Sequence, residues 1–210
     1  MLCAALCISG TVYANTDPAE SSLPASKVLI IGDSISAAYG MSLAEGWVAL
    51  LQARLTSAAP GSQVVNASIS GETSAGAAAR LPGLLQKHQP DILLIELGGN
   101  DGLRGYPLKR LRQNLQNMVE MGQASKAAVL LLGMEIPPNY GERYTREFRE
   151  GYQRVAEATG CQLLPFMLAG IATEPELMQA DGIHPRVTAQ AMLLENVWPA
   201  LQAIIIGLAP

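Results

Sequence analysis

Five short apolar runs, each followed by a helix-patterned segment, leave this chain very few ways to fold. The runs are 27–31 (KVLII), 63–67, 92–97 (ILLIEL), 128–133 (AVLLLG) and 162–164. Brief runs of this kind, β-branched or leucine-rich and closed by Gly or a polar turn, read as strands buried on both faces. Helical spacing of apolar residues predicts helices over 45–58, 73–88, 108–124, 144–159 and 186–205, with Pro60-Gly61 and Pro90 as stops. Parallel strands need a crossover, and that crossover is right-handed and usually helical. The economical result is a three-layer α/β/α sandwich around a parallel sheet of about five strands. A hydrophobic content of 49% over 210 residues supports a sizeable core and excludes a disordered chain. Net charge is −4 with no basic stripe, so nucleic acid has no electrostatic footprint here.

In such sheets, ligands bind at the carboxyl ends of the strands. Residues just after a strand are therefore the ones to examine for chemistry. Gly32-Asp33-Ser34-Ile35-Ser36 follows the first strand and exposes a hydroxyl at a strand-to-helix turn, although Asp33 and Ser34 read equally well as a helix cap. Asn66 to Thr73 follows the second, where Gly71 offers an unshielded N–H or simply makes a turn. Gly98-Gly99-Asn100-Asp101 follows the third. It projects the Asn100 amide, a neutral donor suited to a developing oxyanion. Asp181-Gly182-Ile183-His184-Pro185 precedes the last helix. A rigid Asp-x-x-His segment supplies both an imidazole base and the acceptor that fixes its tautomer. The other histidine, His88, sits in a polar helix end and reads as solvated. One candidate ligand His with a distant Cys makes a zinc site improbable. No G-x-G-x-x-G dinucleotide fingerprint and no G-x-S-x-G nucleophile elbow occurs.

Ahead of the first strand, residues 2–14 (LCAALCISGTVYA) form an apolar, small-residue segment too short to span a bilayer, and polar residues 15–26 follow. The expected organisation is a signal peptide at 1–14, a linker at 15–26 and one domain over 27–210. Cys3 and Cys7 fall in the leader, leaving Cys161 as a lone, small core residue. Leu6 stands where a lipoprotein signal has a small residue before its Cys, so no lipid anchor is expected.

Taken in order, the four blocks resemble the SGNH (GDSL-type) hydrolase family, whose signature residues correspond to Ser34, Gly71, Asn100 and His184. Residues 65–71, 96–105, 137–141 (PPNYG) and 178–185 are further similar to its periplasmic thioesterase I/lysophospholipase/arylesterase branch in Gram-negative bacteria. Ile35 stands where the family has Leu, a volume-conserving change. The resemblance implies a flavodoxin-like sheet and a serine mechanism without cofactor or metal. Ser34 attacks an acyl carbonyl, His184 takes its proton, and Asp181 holds the imidazole. The oxyanion is held by the Ser34 and Gly71 N–H groups and by Asn100. Loop 102–107 lines the acyl groove, with Leu103 and Tyr106 as apolar contacts, while Asp33 and Asp101 brace the loops. Small-molecule acyl esters, thioesters or lysophospholipids are the implied substrates, for a monomeric enzyme that is periplasmic or secreted. Two other readings of the same fold are a carbohydrate or peptidoglycan O-deacetylase and a non-catalytic binding domain.

Overall fold

The computed structural model describes residues 23–208. The expected leader at 1–14 and most of the expected linker at 15–26 lie outside them. Five parallel strands form one sheet in the order β2-β1-β3-β4-β5, from β1 (Lys27–Gly32), β2 (Gln63–Asn66), β3 (Ile92–Glu96), β4 (Ala128–Leu132) and β5 (Gln162–Leu164). Every residue of β3 is buried, because helices cover both faces and no alternation of polar residues is needed.

The helices are α1 (Trp47–Ala58), α2 (Ser74–His88), α3 (Gly99–Leu103), α4 (Leu108–Ala124), α5 (Glu142–Thr159) and α6 (Gln190–Gly207). α1 packs against α6, while α4 packs against both α2 and α5. These two groups make the outer layers of an α/β/α sandwich. The split follows from strand order: β2 lies on one side of β1 and β3 on the other, so right-handed crossovers place α1 and α2 on opposite faces. α4 shows how each helix docks. Its buried residues Leu111, Leu115, Met118, Val119 and Gly122 recur at helical spacing, and its other face is polar.

Beyond shifts of one or two residues, boundaries differ from the sequence reading in three places, each for a local reason. The segment before α1 is a separate 3₁₀ turn, Leu43–Glu45, closed by a reciprocal capping box between Ser42 and Glu45. Residues Val187–Ala189 likewise form a 3₁₀ turn ahead of α6. The stretch after β3, expected as a loop, is the short helix α3. Gly98 adopts φ +119°, a left-handed conformation open to glycine, and a side chain there would collide with the Tyr152 hydroxyl. That sharp bend turns the chain straight into a helical turn, with Gly102 N–H donating to Gly98 O at 2.9 Å.

The strand order reverses direction between β1 and β3. The crevice at their carboxyl ends is the topological switch point where such sheets bind ligands. Ser34 and Asn100 flank it.

Candidate active site

Ser34 begins a series of tight turns after β1. Its Oγ lies 2.8 Å from His184 Nε2, and His184 Nδ1 lies 2.7 Å from Asp181 Oδ2. The second Asp181 oxygen accepts the backbone N–H groups of Ile183 (2.9 Å) and His184 (3.0 Å). Burial alone would raise the Asp181 carboxyl. The His184 ring N–H and these two backbone donors outweigh it and bring its pKa to about 2. An ionised Asp181 fixes the proton on Nδ1 and leaves Nε2 as an acceptor for the Ser34 hydroxyl.

The histidine is held from behind. Gln179 N–H donates to His184 O at 2.7 Å and Arg186 N–H to Leu177 O at 2.7 Å. Met178 and Pro185 form an antiparallel bridge, so residues 177–186 make a closed hairpin that aims His184 at β1. Gln179 Nε2 also donates to Tyr39 O at 2.9 Å, tying this hairpin to the Ser34 turns. The Tyr39 ring lies against the imidazole with centroids 4.3 Å apart. Nothing local in the sequence marks Tyr39, since the contact joins segments far apart in the chain.

On the opposite side of Ser34, Asn100 Nδ2 donates to Asp33 Oδ2 at 3.2 Å. Asp33 Oδ1 accepts Ile35 N–H at 3.1 Å. Asp33 N–H in turn donates to Glu96 Oε2 at 3.1 Å, and Ser36 Oγ donates to the same oxygen at 2.8 Å. Burial pushes both carboxyls up, that of Glu96 well up, where the nearby Asp33 charge adds to the effect. Asp101, also buried, accepts Ser74 N–H at 2.9 Å and Ser74 Oγ at 2.6 Å, which locks α3 to the start of α2. Both aspartates thus stand where loop-bracing carboxylates were expected.

Gly71 lies on the same sheet edge with φ +79°, and its carbonyl accepts Arg104 Nη2 at 3.2 Å. Neither the Ser34 nor the Gly71 backbone N–H has a partner among the described residues.

A cavity of about 450 Å³ opens beside Ser34, His184 and Asn100. Leu103 lines it, as expected of the segment after Asn100. Tyr106 does not: it is 44% exposed, and its carbonyl is held by the Tyr144 hydroxyl at 3.1 Å. α3 ends at Leu103, which faces the cavity, and the turn that follows carries Tyr106 past its edge. Most of the apolar wall comes instead from Met134, Ile136 and Pro137 after β4 and from Phe166 and Leu168 after β5. Phe166-Met167-Leu168 is an apolar run shortly after the fifth strand. The β4 contribution could have been found by extending the strand-end rule to the fourth strand. Cys161 is half-buried and packs against the core, away from the cavity.

Comparison with known proteins identifies relatives of this chain. Residues 30–192 match the GDSL-like Lipase/Acylhydrolase family. The chain is 52% identical to the esterase TesA of Pseudomonas aeruginosa over 181 residues, covering 86% of this chain and 90% of that protein. It is 42% identical to thioesterase 1/protease 1/lysophospholipase L1 of Escherichia coli K12, covering 86% of each chain. A crystal structure of TesA superimposes with a TM-score of 0.83 at 53% identity, over 85% of this chain and 99% of the other. The chain belongs to the GDSL-like lipase/acylhydrolase family and is an ester-hydrolysing serine hydrolase.

Proposed function

We propose that this enzyme hydrolyses acyl esters and thioesters of medium or longer chain length through an acyl-enzyme on Ser34. The observation that carries the reading is the Ser34–His184–Asp181 hydrogen-bond chain at the wall of an apolar cavity. His184 Nε2 takes the Ser34 proton as Oγ attacks the acyl carbonyl carbon, and the carbonyl electron pair moves onto oxygen. The resulting oxyanion faces the free N–H groups of Ser34 and Gly71 and the second N–H of the Asn100 amide. Collapse of the intermediate expels the alkoxide or thiolate, which leaves with the proton from Nε2. Water then gives a proton to Nε2 and attacks the acyl-enzyme. The acid departs, and Ser34 Oγ recovers its proton.

An acetyl group would occupy a small part of this cavity, so its size supports longer acyl groups over an O-deacetylase. The hydrogen-bonded geometry of Ser34, His184 and Asp181 supports a catalyst over a binding domain. The apolar segment at 2–14 supports export to the periplasm or medium. The site is complete within one chain, in keeping with a monomer.

The test is turnover of chromogenic esters and thioesters of graded acyl length by the wild type and Ser34→Ala, with EDTA present. The reading expects kcat/KM to rise with chain length beyond acetyl, with none of this turnover surviving in Ser34→Ala. Activity confined to acetyl esters would instead favour the deacetylase.

A further inference from the structure

We propose that Glu96 is a positioning residue for the oxyanion donor: hydrogen-bonded to Asp33 beneath the site, it fixes Asp33 where Asp33 orients the Asn100 amide. This rests on the role of Asn100 given above. Glu96 is the last residue of β3, fully buried at the centre of the sheet's carboxyl edge. The sheet register sets it opposite Gly32. A side chain on Gly32 would come within 2.7 Å of Glu96 Oε2, so β1 ends in a residue that leaves space for this carboxyl group.

The hydrogen bonds define its state. Glu96 Oε2 accepts from both Asp33 N–H and Ser36 Oγ, which pins the turn that carries Asp33. Burial, and then the nearby Asp33 charge, push the Glu96 carboxyl well up. Asp33 accepts the Ile35 N–H and the Asn100 amide and lies near His184, all of which favour its ionised form. Glu96 Oε1 receives no donor, and neither carboxyl pairs with a lysine or arginine among the described residues. The neutral form is therefore favoured at Glu96 rather than at Asp33.

The chain Glu96–Asp33–Asn100 has a consequence for catalysis. Asp33 occupies one N–H of the Asn100 amide, which leaves the other directed to the cavity. The Glu96 proton keeps the pair at a single negative charge, limiting repulsion of an oxyanion forming nearby. Without Glu96, Asp33 would lose a partner on its inner side, and the amide would lose its fixed orientation. The transition state would suffer more than substrate binding.

The experiment is a double-mutant cycle on kcat and KM, with folding checked by thermal melts. Glu96→Leu should lower kcat roughly tenfold or more with KM nearly unchanged, and should lower it no further once Asn100→Ala is present. Glu96→Gln, whose amide oxygen can accept from both Asp33 N–H and Ser36 Oγ, should keep kcat within about threefold of wild type. Should Glu96→Leu fail to fold, Glu96→Asp replaces it, because it withdraws the acid by one methylene and the same coupling to Asn100 is expected. Equal losses with and without Asn100 would overturn the proposal, as would a Glu96→Gln enzyme as impaired as Glu96→Leu. Turnover by Ser34→Ala, measured alongside, would overturn the serine mechanism itself, so the two failures are distinguishable.

Discussion

Asn100 spends one N–H on Asp33 Oδ2, and in the proposed mechanism the other serves the oxyanion, so its removal should act on chemistry rather than on binding. Asn100→Ala is expected to lower kcat by roughly 10²–10³ with little change in KM, measured by steady-state kinetics on a single ester. Asp181 makes a different prediction. Asp181→Asn presents the wrong partner to Nδ1, and kcat should fall by roughly 10²–10⁴. Its stability effect depends on pH in a defined direction. The carboxyl titrates at about 2 in the folded chain and at about 3.9 when unfolded. Its stabilisation is therefore complete above the unfolded value and is lost as pH falls toward 2. The Tm gap between wild type and Asp181→Asn should narrow as pH drops from 5 toward 2, and a gap that widens would contradict this sign. Residue identities at this scale were legible because each sits just after a strand or in the Asp-x-x-His segment. Glu96 and Tyr39 were not. One looks like the polar end of an apolar strand, and the other gains its role from a contact with His184 across the fold.

Strand and helix alternation could be read directly, since buried parallel strands are nearly uninterrupted apolar runs and the helices carry apolar stripes. The ends of the elements were harder. α3 depends on the left-handed Gly98 and on the Tyr152 ring from α5, neither of which a local pattern can report. Gly98→Ala should impair folding far more than a surface glycine change, because it adds both backbone strain and a steric clash. A lowered Tm, or loss of soluble protein, would show this. The start of α2 is simpler. Thr73 caps it by accepting Gly76 N–H at 3.3 Å, so Thr73→Ala should cost about 1 kcal/mol in chemical denaturation with the site unaffected.

The chain places its reactive groups by topology. The turns after β1, the loop after β2 and the short helix α3 after β3 bring Ser34, Gly71 and Asn100 to one sheet edge, and the hairpin before α6 brings His184 back to it. The apolar wall is assembled from the ends of β4 and β5, which explains why reading only the block after Asn100 recovered Leu103 and also included Tyr106. Bulk added to that wall should be felt by long substrates first. Ala172 also lines the cavity beyond β5, and Ala172→Phe is expected to lower kcat/KM for long-chain esters several-fold more than for short ones, with activity on acetyl esters retained. The central claim is that Ser34 carries the acyl group. The most direct test is rapid quenching during turnover of an activated ester, followed by intact-mass and peptide mass spectrometry of wild type and Ser34→Ala. The expected result is one acyl adduct on the peptide containing Ser34 in the wild type and none in the variant. An adduct on another residue, or one that persists in Ser34→Ala, would contradict the account.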